Sequence, residues 1–130
     1  MDENVEATIW EKVAFNAALN ALTTVARAPV KVIADSEHGR ALAKKVVEEV
    51  LSVARAKGIP VNGDAVDASV EMALRDHREH KPSMLQDLLA GRRTEIDSIN
   101  GAVVQQAAQL NIPIPVTETL WRLVKLIENT

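Results

Sequence analysis

The apolar residues of this chain recur at intervals of three and four positions along almost its whole length, whereas the strict alternation of a half-buried strand is not sustained anywhere. This pattern predicts an all-α fold of roughly six helices packed as one bundle-like domain. The first helix is expected over residues 8–27, and because it is apolar on nearly every side it should be buried. The second should begin after Asp35 and Ser36 and end at Gly58, with Pro60 beyond it.

Two further helices are expected in the middle of the chain. One starts near Asp64 and gives way to a run of charged residues after Leu74. The next is short. Ser83 and Gln86 have the spacing of a capping box, in which a serine at the helix start and a glutamine three residues later bind free backbone N–H groups. Gly91 should close this helix.

The fifth helix is expected over residues 95–110, with Thr94 as its N-cap and with Glu95 and Asn100 on its polar face. Two prolines then interrupt residues 111–115, because proline lacks a backbone N–H and biases the residue before it toward extended conformations. A last amphipathic helix should follow. The residues expected on its inward side are Leu120, Trp121, Leu123, Val124 and Ile127.

A polar track runs along the otherwise apolar first helix. Lys12, Asn16 and Asn20 are spaced four residues apart, which places them on one face of the helix. Two amides in line can bind hydroxyl and carboxylate oxygens, and an ammonium group among apolar neighbours can donate a proton. The same pattern is also typical of a plain solvent-facing side, and spacing alone does not decide between the two interpretations.

Composition excludes several classes of function. The 130 residues include 15 basic and 18 acidic ones, and no basic stripe alternates with aromatics, so neither nucleic-acid phosphates nor bases have a binding surface. The chain has no cysteine, which excludes disulfides, thiolate zinc sites and thiol nucleophiles and is consistent with a cytoplasmic location. No apolar run approaches the ~20 residues that span a bilayer, so no membrane association is expected.

Several other residues are candidates for chemistry. His77, Glu79 and His80 could be drawn as a metal cluster, but a solvated polar turn before a proline is the simpler interpretation, and no metal site is predicted. Arg92 and Arg93 are interpreted as loop charges. The two tryptophans, at positions 10 and 121, are expected to anchor the core or an interface. The five glycines never have the spacing of a dinucleotide or phosphate loop, so this chain should not cradle a nucleotide by itself.

Two motifs resemble one known family. The Lys-x-x-x-Asn-x-x-x-Asn pattern at Lys12, Asn16 and Asn20 is similar to a helix of ketopantoate reductases (2-dehydropantoate 2-reductases). The Ser-Met-x-Gln-Asp that begins at Ser83 and the Arg-x-Thr-Glu-Ile-Asp that contains Glu95 resemble a second block of the same family. The resemblance extends over about residues 9–128 and covers the family's C-terminal domain only. Short motifs alone often give false matches, but two in the right order seldom do.

The resemblance implies the all-α C-terminal domain of an NADPH-dependent reductase that converts 2-dehydropantoate to pantoate, a step of pantothenate and coenzyme A biosynthesis, with a fold related to 6-phosphogluconate dehydrogenase-like enzymes. It implies that Lys12 is the general acid, that Asn16 and Asn20 hold the substrate and that Ser83 contacts the substrate carboxylate. Glu95 would face the nicotinamide ribose. NADPH would bind mainly to an N-terminal Rossmann domain that residues 1–130 do not contain, so the chain alone is expected to be inactive.

Two alternatives remain open on the sequence. The chain could be a non-catalytic helical module for dimerisation or for docking to a partner, and an exposed face built to meet a Rossmann domain could itself support a homodimer. It could also belong to a reductase that acts on another 2-keto acid, because the shape of a pocket is not readable from one sequence. Kinetics on a panel of keto acids would distinguish these substrates.

Overall fold

The computed structural model describes residues 3–128, and within this range all regular secondary structure is helical. The all-α prediction is confirmed. One short helix beyond the six expected occurs, a single turn (α2) in the connection between the first two long helices. The helices in chain order are α1 Glu3–Ala26, α2 Lys31–Ala34, α3 Glu37–Ala56, α4 Gly63–Asp76, α5 Ser83–Leu89, α6 Asn100–Gln109 and α7 Pro115–Glu128.

Helix α1 is the centre of the fold and packs against α3, α4, α5 and α7. Its predicted burial is confirmed along the inner side. Alanine predominates there, since small side chains let neighbouring helices approach closely. Two polar residues of its last turn, Thr23 and Thr24, are buried as well. Their hydroxyls donate hydrogen bonds to the carbonyl oxygens of Leu19 (2.8 Å) and Asn20 (2.6 Å). The fully buried alanines are Ala14, Ala17, Ala18 and Ala21.

Helix α3 begins directly after Ser36, as predicted, and α4 begins at Gly63, one residue before the expected start near Asp64. The Ser36 hydroxyl accepts a hydrogen bond from the N–H of Gly39 (3.1 Å) at the start of α3, and Asn62 does the same for Ala65 (3.1 Å) at the start of α4. Gly58 follows α3 with a φ of 79°, a conformation that glycine adopts without steric cost.

Helix α5 occurs where it was predicted, but the capping box was wrong. Pro82 is the residue that precedes the helix, Ser83 is already helical, and no side chain caps the end. The Gln86 amide instead donates a hydrogen bond to the Lys81 carbonyl oxygen at 2.7 Å. Because no hydrogen bond to the helix end occupies the Ser83 hydroxyl, it is available to another group.

The prediction of a helix over residues 95–110 was wrong at its start, since α6 begins only at Asn100 and residues 95–99 form turns. Tertiary contacts explain the difference. Thr94 donates hydrogen bonds from its N–H (2.7 Å) and its hydroxyl (2.6 Å) to the carboxylate of Glu128 at the end of α7. Its hydroxyl also accepts from the N–H of Ile96 (3.3 Å), so Thr94 caps this turn rather than a helix.

Asn100 was predicted on a polar face and is instead fully buried. Its amide donates a hydrogen bond to the carbonyl oxygen of Ala17 on α1 at 3.2 Å. This bond ties the first residue of α6 to the central helix. The buried Asn100 therefore fixes the position of the turns at residues 95–99 that precede it.

Helix α7 begins at Pro115, where the missing N–H of proline costs nothing. The inward side was predicted correctly for Leu120 and Val124, which are buried, and in part for Trp121 and Ile127, which are half-buried. Leu123 is exposed, so that assignment was wrong. Among the helices of residues 3–128, none is both long enough and apolar enough to pass through a bilayer.

Candidate functional site

A cavity of about 470 Å³, which we call the main cavity, lies beside the central helix and is lined by residues from several parts of the chain. Its size falls in the range of small-molecule sites. Apolar side chains from α1, α4 and the loops form much of the lining. They are Phe15, Leu19, Val30, Ala73, Pro82 and Ile99.

Asn16 and Asn20 line this cavity from α1. The helix puts them one turn apart, about 6 Å along its axis. Both are half-buried, and neither side-chain amide hydrogen-bonds to another residue in the range 3–128. Half-buried amides normally have partners, so two free ones facing a cavity are positioned to bind a polar ligand.

Ser83 and Glu95 line the same cavity from α5 and from the turns before α6. The Glu95 backbone is held firmly, since its carbonyl oxygen accepts hydrogen bonds from the N–H groups of Ser98 (3.0 Å) and Ile99 (3.1 Å). Its carboxylate is exposed and forms no ion pair with a described residue. Residues of the two separate sequence motifs thus meet at one cavity.

Lys12 does not line this cavity. It is exposed and lines an adjoining one of about 410 Å³, and both cavities share Phe15 and Asn16 in their linings. The Lys12 ammonium has no ion-pair partner in the described part of the chain. A lysine side chain has a flexible four-carbon stem, so its ammonium can reach across the helix turn that separates it from Asn16.

His77 and His80 also line the main cavity, a position that was not predicted from the sequence. The sequence favoured a solvated polar turn over a metal cluster for this segment, and both side chains are exposed. Within residues 3–128, no group of three or more side chains is arranged to hold a metal ion. No local signal places them there, because residues 77–82 are not helical and a spacing of three residues fixes a common face only within a helix.

The other candidates have structural partners. Arg92 pairs with Asp87 (3.0 Å) and Arg93 approaches Asp97 (3.5 Å), as expected of loop charges. Trp10 and Trp121 both pack against the hydrophobic core. The Trp121 indole also donates a hydrogen bond to Asp97 at 2.8 Å. That hydrogen bond and the Lys125 ammonium hold the pKa of the Asp97 carboxyl below its ordinary value.

Together the fold and the cavity define an α-helical domain with a cavity whose unpaired polar groups come from the central helix, from α5 and from the turns before α6. Residues 4–128 match the model of the family described as ketopantoate reductase PanE/ApbA C terminal. The chain belongs to this family.

Individual relatives agree with this family. A 2-dehydropantoate 2-reductase of Pyrobaculum aerophilum is 38% identical over 127 residues, which are 98% of this chain and 45% of that protein. The crystal structure of a PanE/ApbA family ketopantoate reductase from Ralstonia eutropha superposes with a TM-score of 0.89 at 34% identity, covering 96% of this chain and 42% of that one. A D-mandelate dehydrogenase with NADH and anilino(oxo)acetate superposes with a TM-score of 0.92 at 27% identity, covering 98% and 42%. The chain therefore spans less than half the length of these relatives.

Proposed function

We propose that this chain is the substrate-binding and proton-donating part of an NADPH-dependent 2-dehydropantoate 2-reductase. One observation carries the proposal: Asn16, Asn20, Ser83 and Glu95, which the family resemblance selects from two distant motifs, all line one cavity. Their side chains form no hydrogen bond or ion pair with other residues of the described range. None of these side chains is therefore held by pairing or capping contacts, and each can bind a ligand in the cavity.

The substrate is bound by the polar side chains of the main cavity. A 2-keto acid carries a carboxylate and a ketone on adjacent carbons, and 2-dehydropantoate also carries a hydroxyl. The amides of Asn16 and Asn20 can donate to the carbonyl and hydroxyl oxygens and can accept from the hydroxyl. The Ser83 hydroxyl donates to the carboxylate. The apolar lining, including Phe15, packs against the carbon skeleton of the substrate.

Lys12 supplies the proton. Reduction of a ketone builds negative charge on the carbonyl oxygen, and an ammonium within reach neutralises that charge by protonating it. The product is a hydroxyl, and the lysine is left as a neutral amine. Since Lys12 is exposed, solvent can return the proton after each turnover.

The residues of this chain can contact only part of the cofactor. When bound, NADPH supplies the hydride of the reaction. Glu95 is exposed at the cavity and can accept hydrogen bonds from ribose hydroxyls. The glycines at positions 58 and 91 have positive φ but follow helices instead of opening them, so neither belongs to a phosphate-binding turn. Most of the nucleotide would therefore contact a second domain.

A reductase for a different 2-keto acid is the second candidate. The likeness to D-mandelate dehydrogenase favours it, because a fold this similar is found with NADH and an aryl oxo acid. Phe15, Leu19 and Ile99 line a cavity wide enough for an aromatic ring. Substrate preference, not fold, separates the two candidates.

The test is a fusion protein in which this chain is joined to the part of the Pyrobaculum aerophilum relative that its match leaves uncovered. NADPH oxidation is measured with 2-dehydropantoate and with phenylglyoxylate, and the intact relative is the control. Turnover with 2-dehydropantoate at a higher kcat/KM supports the proposal. A preference for phenylglyoxylate selects the second candidate. No turnover with either substrate, in a fusion shown to be folded, would overturn both.

A further inference from the structure

We propose that His77 and His80 form an anion-selective wall of the main cavity, so that the cavity binds a carboxylate most tightly when the two imidazoles are protonated. The identity of the anion, a 2-keto acid, rests on the proposed function. The wall itself rests on the position, anchoring and free side chains of the two histidines.

The segment that carries the histidines is fixed in place. The N–H of Val30 donates to the carbonyl oxygen of His80 (3.0 Å), and the N–H of Lys31 donates to that of Arg78 (2.9 Å). The N–H of His77 continues the hydrogen bonding of α4 to Ala73 (2.9 Å). The segment is thus an exposed turn, as predicted, and backbone hydrogen bonds fix its position relative to the connection between α1 and α2.

The imidazoles are free of hydrogen bonds and ion pairs within the described residues. Both are exposed and line the cavity, and neither forms a hydrogen bond or an ion pair with another residue of the described range. They share the cavity with the unpaired groups of Asn16, Asn20 and Ser83. An imidazolium donates two hydrogen bonds and carries a positive charge, so the pair adds positive charge to a lining whose other donors, Asn16, Asn20 and Ser83, are neutral.

The charged residues around this segment neutralise one another. The pairs are Arg75 with Asp76 (3.0 Å), Arg78 with Asp35 (2.9 Å) and Lys31 with Glu79 (3.2 Å). The Arg75 hydrogen bond holds the pKa of Asp76 below its ordinary value, and His77 acts in the same direction. Lys81 is exposed between His80 and Pro82. Apart from the histidines, the titratable residue among those lining the cavity is Glu95.

These charges set the direction of the pH dependence. With neutral imidazoles, the carboxylate of Glu95 leaves the lining with net negative charge, which repels an anion. Protonation of both imidazoles reverses that sign. Histidine is the side chain that ordinarily changes charge between pH 5 and 8, whereas the carboxylate of a 2-keto acid stays ionised in that range. Affinity for the anion should therefore be highest at pH 5.5 and fall as the pH rises to 8.

The experiment is an NMR titration of the full chain with 2-dehydropantoate and, as an uncharged probe, its methyl ester. Imidazole and asparagine side-chain signals are followed at pH 5.5 and 8. We expect the carboxylate to bind about three- to tenfold more tightly at pH 5.5, the range for two exposed charge contacts. The ester should show no such dependence. In the double variant H77Q/H80Q the pH dependence should disappear.

His38 is the matched control, since it is the third histidine, lies on α3 outside this cavity and approaches only Glu37 at 3.6 Å. H38Q should keep the pH dependence. Absence of carboxylate binding at pH 5.5, equal affinity at both pH values, or an unchanged dependence in H77Q/H80Q would each overturn the proposal. If one of these results is obtained and the fusion protein still turns over, the proposal for the histidines is rejected and the proposed reductase function is retained.

If the histidines govern carboxylate binding but the fusion protein has no reductase activity, the proposal for the histidines is retained and the proposed reductase function is rejected.

Discussion

The carboxylate of Glu49, on α3, accepts hydrogen bonds from the backbone N–H (2.7 Å) and the hydroxyl (2.8 Å) of Thr117 in the first turn of α7. Its second oxygen accepts from the N–H of Val116 at 3.1 Å. A buried side chain of one helix thus satisfies the free N–H groups at the start of another, where negative charge is favoured.

Replacing Glu49 with alanine should therefore lower the free energy of unfolding by about 3 kcal/mol, because the buried N–H of Thr117 loses a charged acceptor. Urea unfolding measures this loss. Glu48 is the matched control: it is the adjacent residue and exposed, so Glu48→Ala should change stability by less than about 0.5 kcal/mol. Equal losses for the two variants would contradict the capping role.

Gly101 should be intolerant of a methyl group. A Cβ at this position would lie 2.8 Å from Nε1 of Trp121, so the indole would have to move away from Asp97. We expect Gly101→Ala to cost about 1–3 kcal/mol and to change the tryptophan fluorescence. Gly63 also lies in the first turn of a helix, but a Cβ there would meet the flexible end of Arg55 at 3.2 Å and make an ordinary van der Waals contact with Leu51 at 3.6 Å. Gly63→Ala is thus expected to be nearly neutral, and a similar cost at both sites would refute the clash.

Asp97 should contribute to the acid sensitivity of the fold. Its pKa is depressed in the folded state by the hydrogen bond from Trp121 and by Lys125, so its stabilising effect is present above the unfolded-state value of about 3.9. That effect is lost as the pH falls through the lower folded value. The side chain is 46% exposed, so the effect is small, less than about 1 kcal/mol.

Asp97→Asn should accordingly be less stable than the parent at pH 7, and the difference should vanish at low pH. Thermal unfolding between pH 2 and 7 gives both curves. Asp67→Asn, an exposed residue on α4, is the control and should follow the parent throughout. A difference between Asp97→Asn and the parent that persists unchanged at pH 2 would show that the ionised carboxylate is not the cause.

Lys12→Ala in the fusion protein should depress kcat by roughly two to four orders of magnitude, the usual contribution of a positioned general acid. KM for NADPH should change little, because the ammonium acts on the substrate oxygen. Lys45→Ala, an exposed lysine on α3, provides the comparison and should retain full activity. A near-normal kcat in Lys12→Ala would show that Lys12 is not the proton donor and that the polar track is a plain solvent-facing side of the helix.

Glu95→Ala should behave in the opposite way and raise KM for NADPH by about tenfold with a smaller change in kcat, since its proposed contact is to the ribose. Steady-state kinetics at saturating keto acid separates the two parameters. The exposed Glu48→Ala serves again as the reference. A loss confined to kcat would assign Glu95 to the chemical step instead of to cofactor binding.

Local signals in the sequence were sufficient for most helix boundaries. Ser36 and Gly58 delimit α3 because capping and left-handed residues act through neighbours within a few positions. Residues 95–99 were mispredicted as helix for the opposite reason. Their turns depend on the contact of Thr94 with Glu128, which lies 34 residues away and has no local signature.

The same distinction between local and long-range information applies to the candidate site. The sequence by itself determined the all-α class, the polar track of Lys12, Asn16 and Asn20, and the motif residues Ser83 and Glu95, because periodicity and motif spacing are properties of short segments. Only the tertiary structure decided that Asn16, Asn20, Ser83 and Glu95 share a cavity while Lys12 faces an adjoining one. It also decided that the segment carrying His77 and His80 is pinned beside that cavity. Which segments meet depends on how buried surfaces fit together across the whole chain, and no window of sequence contains that information.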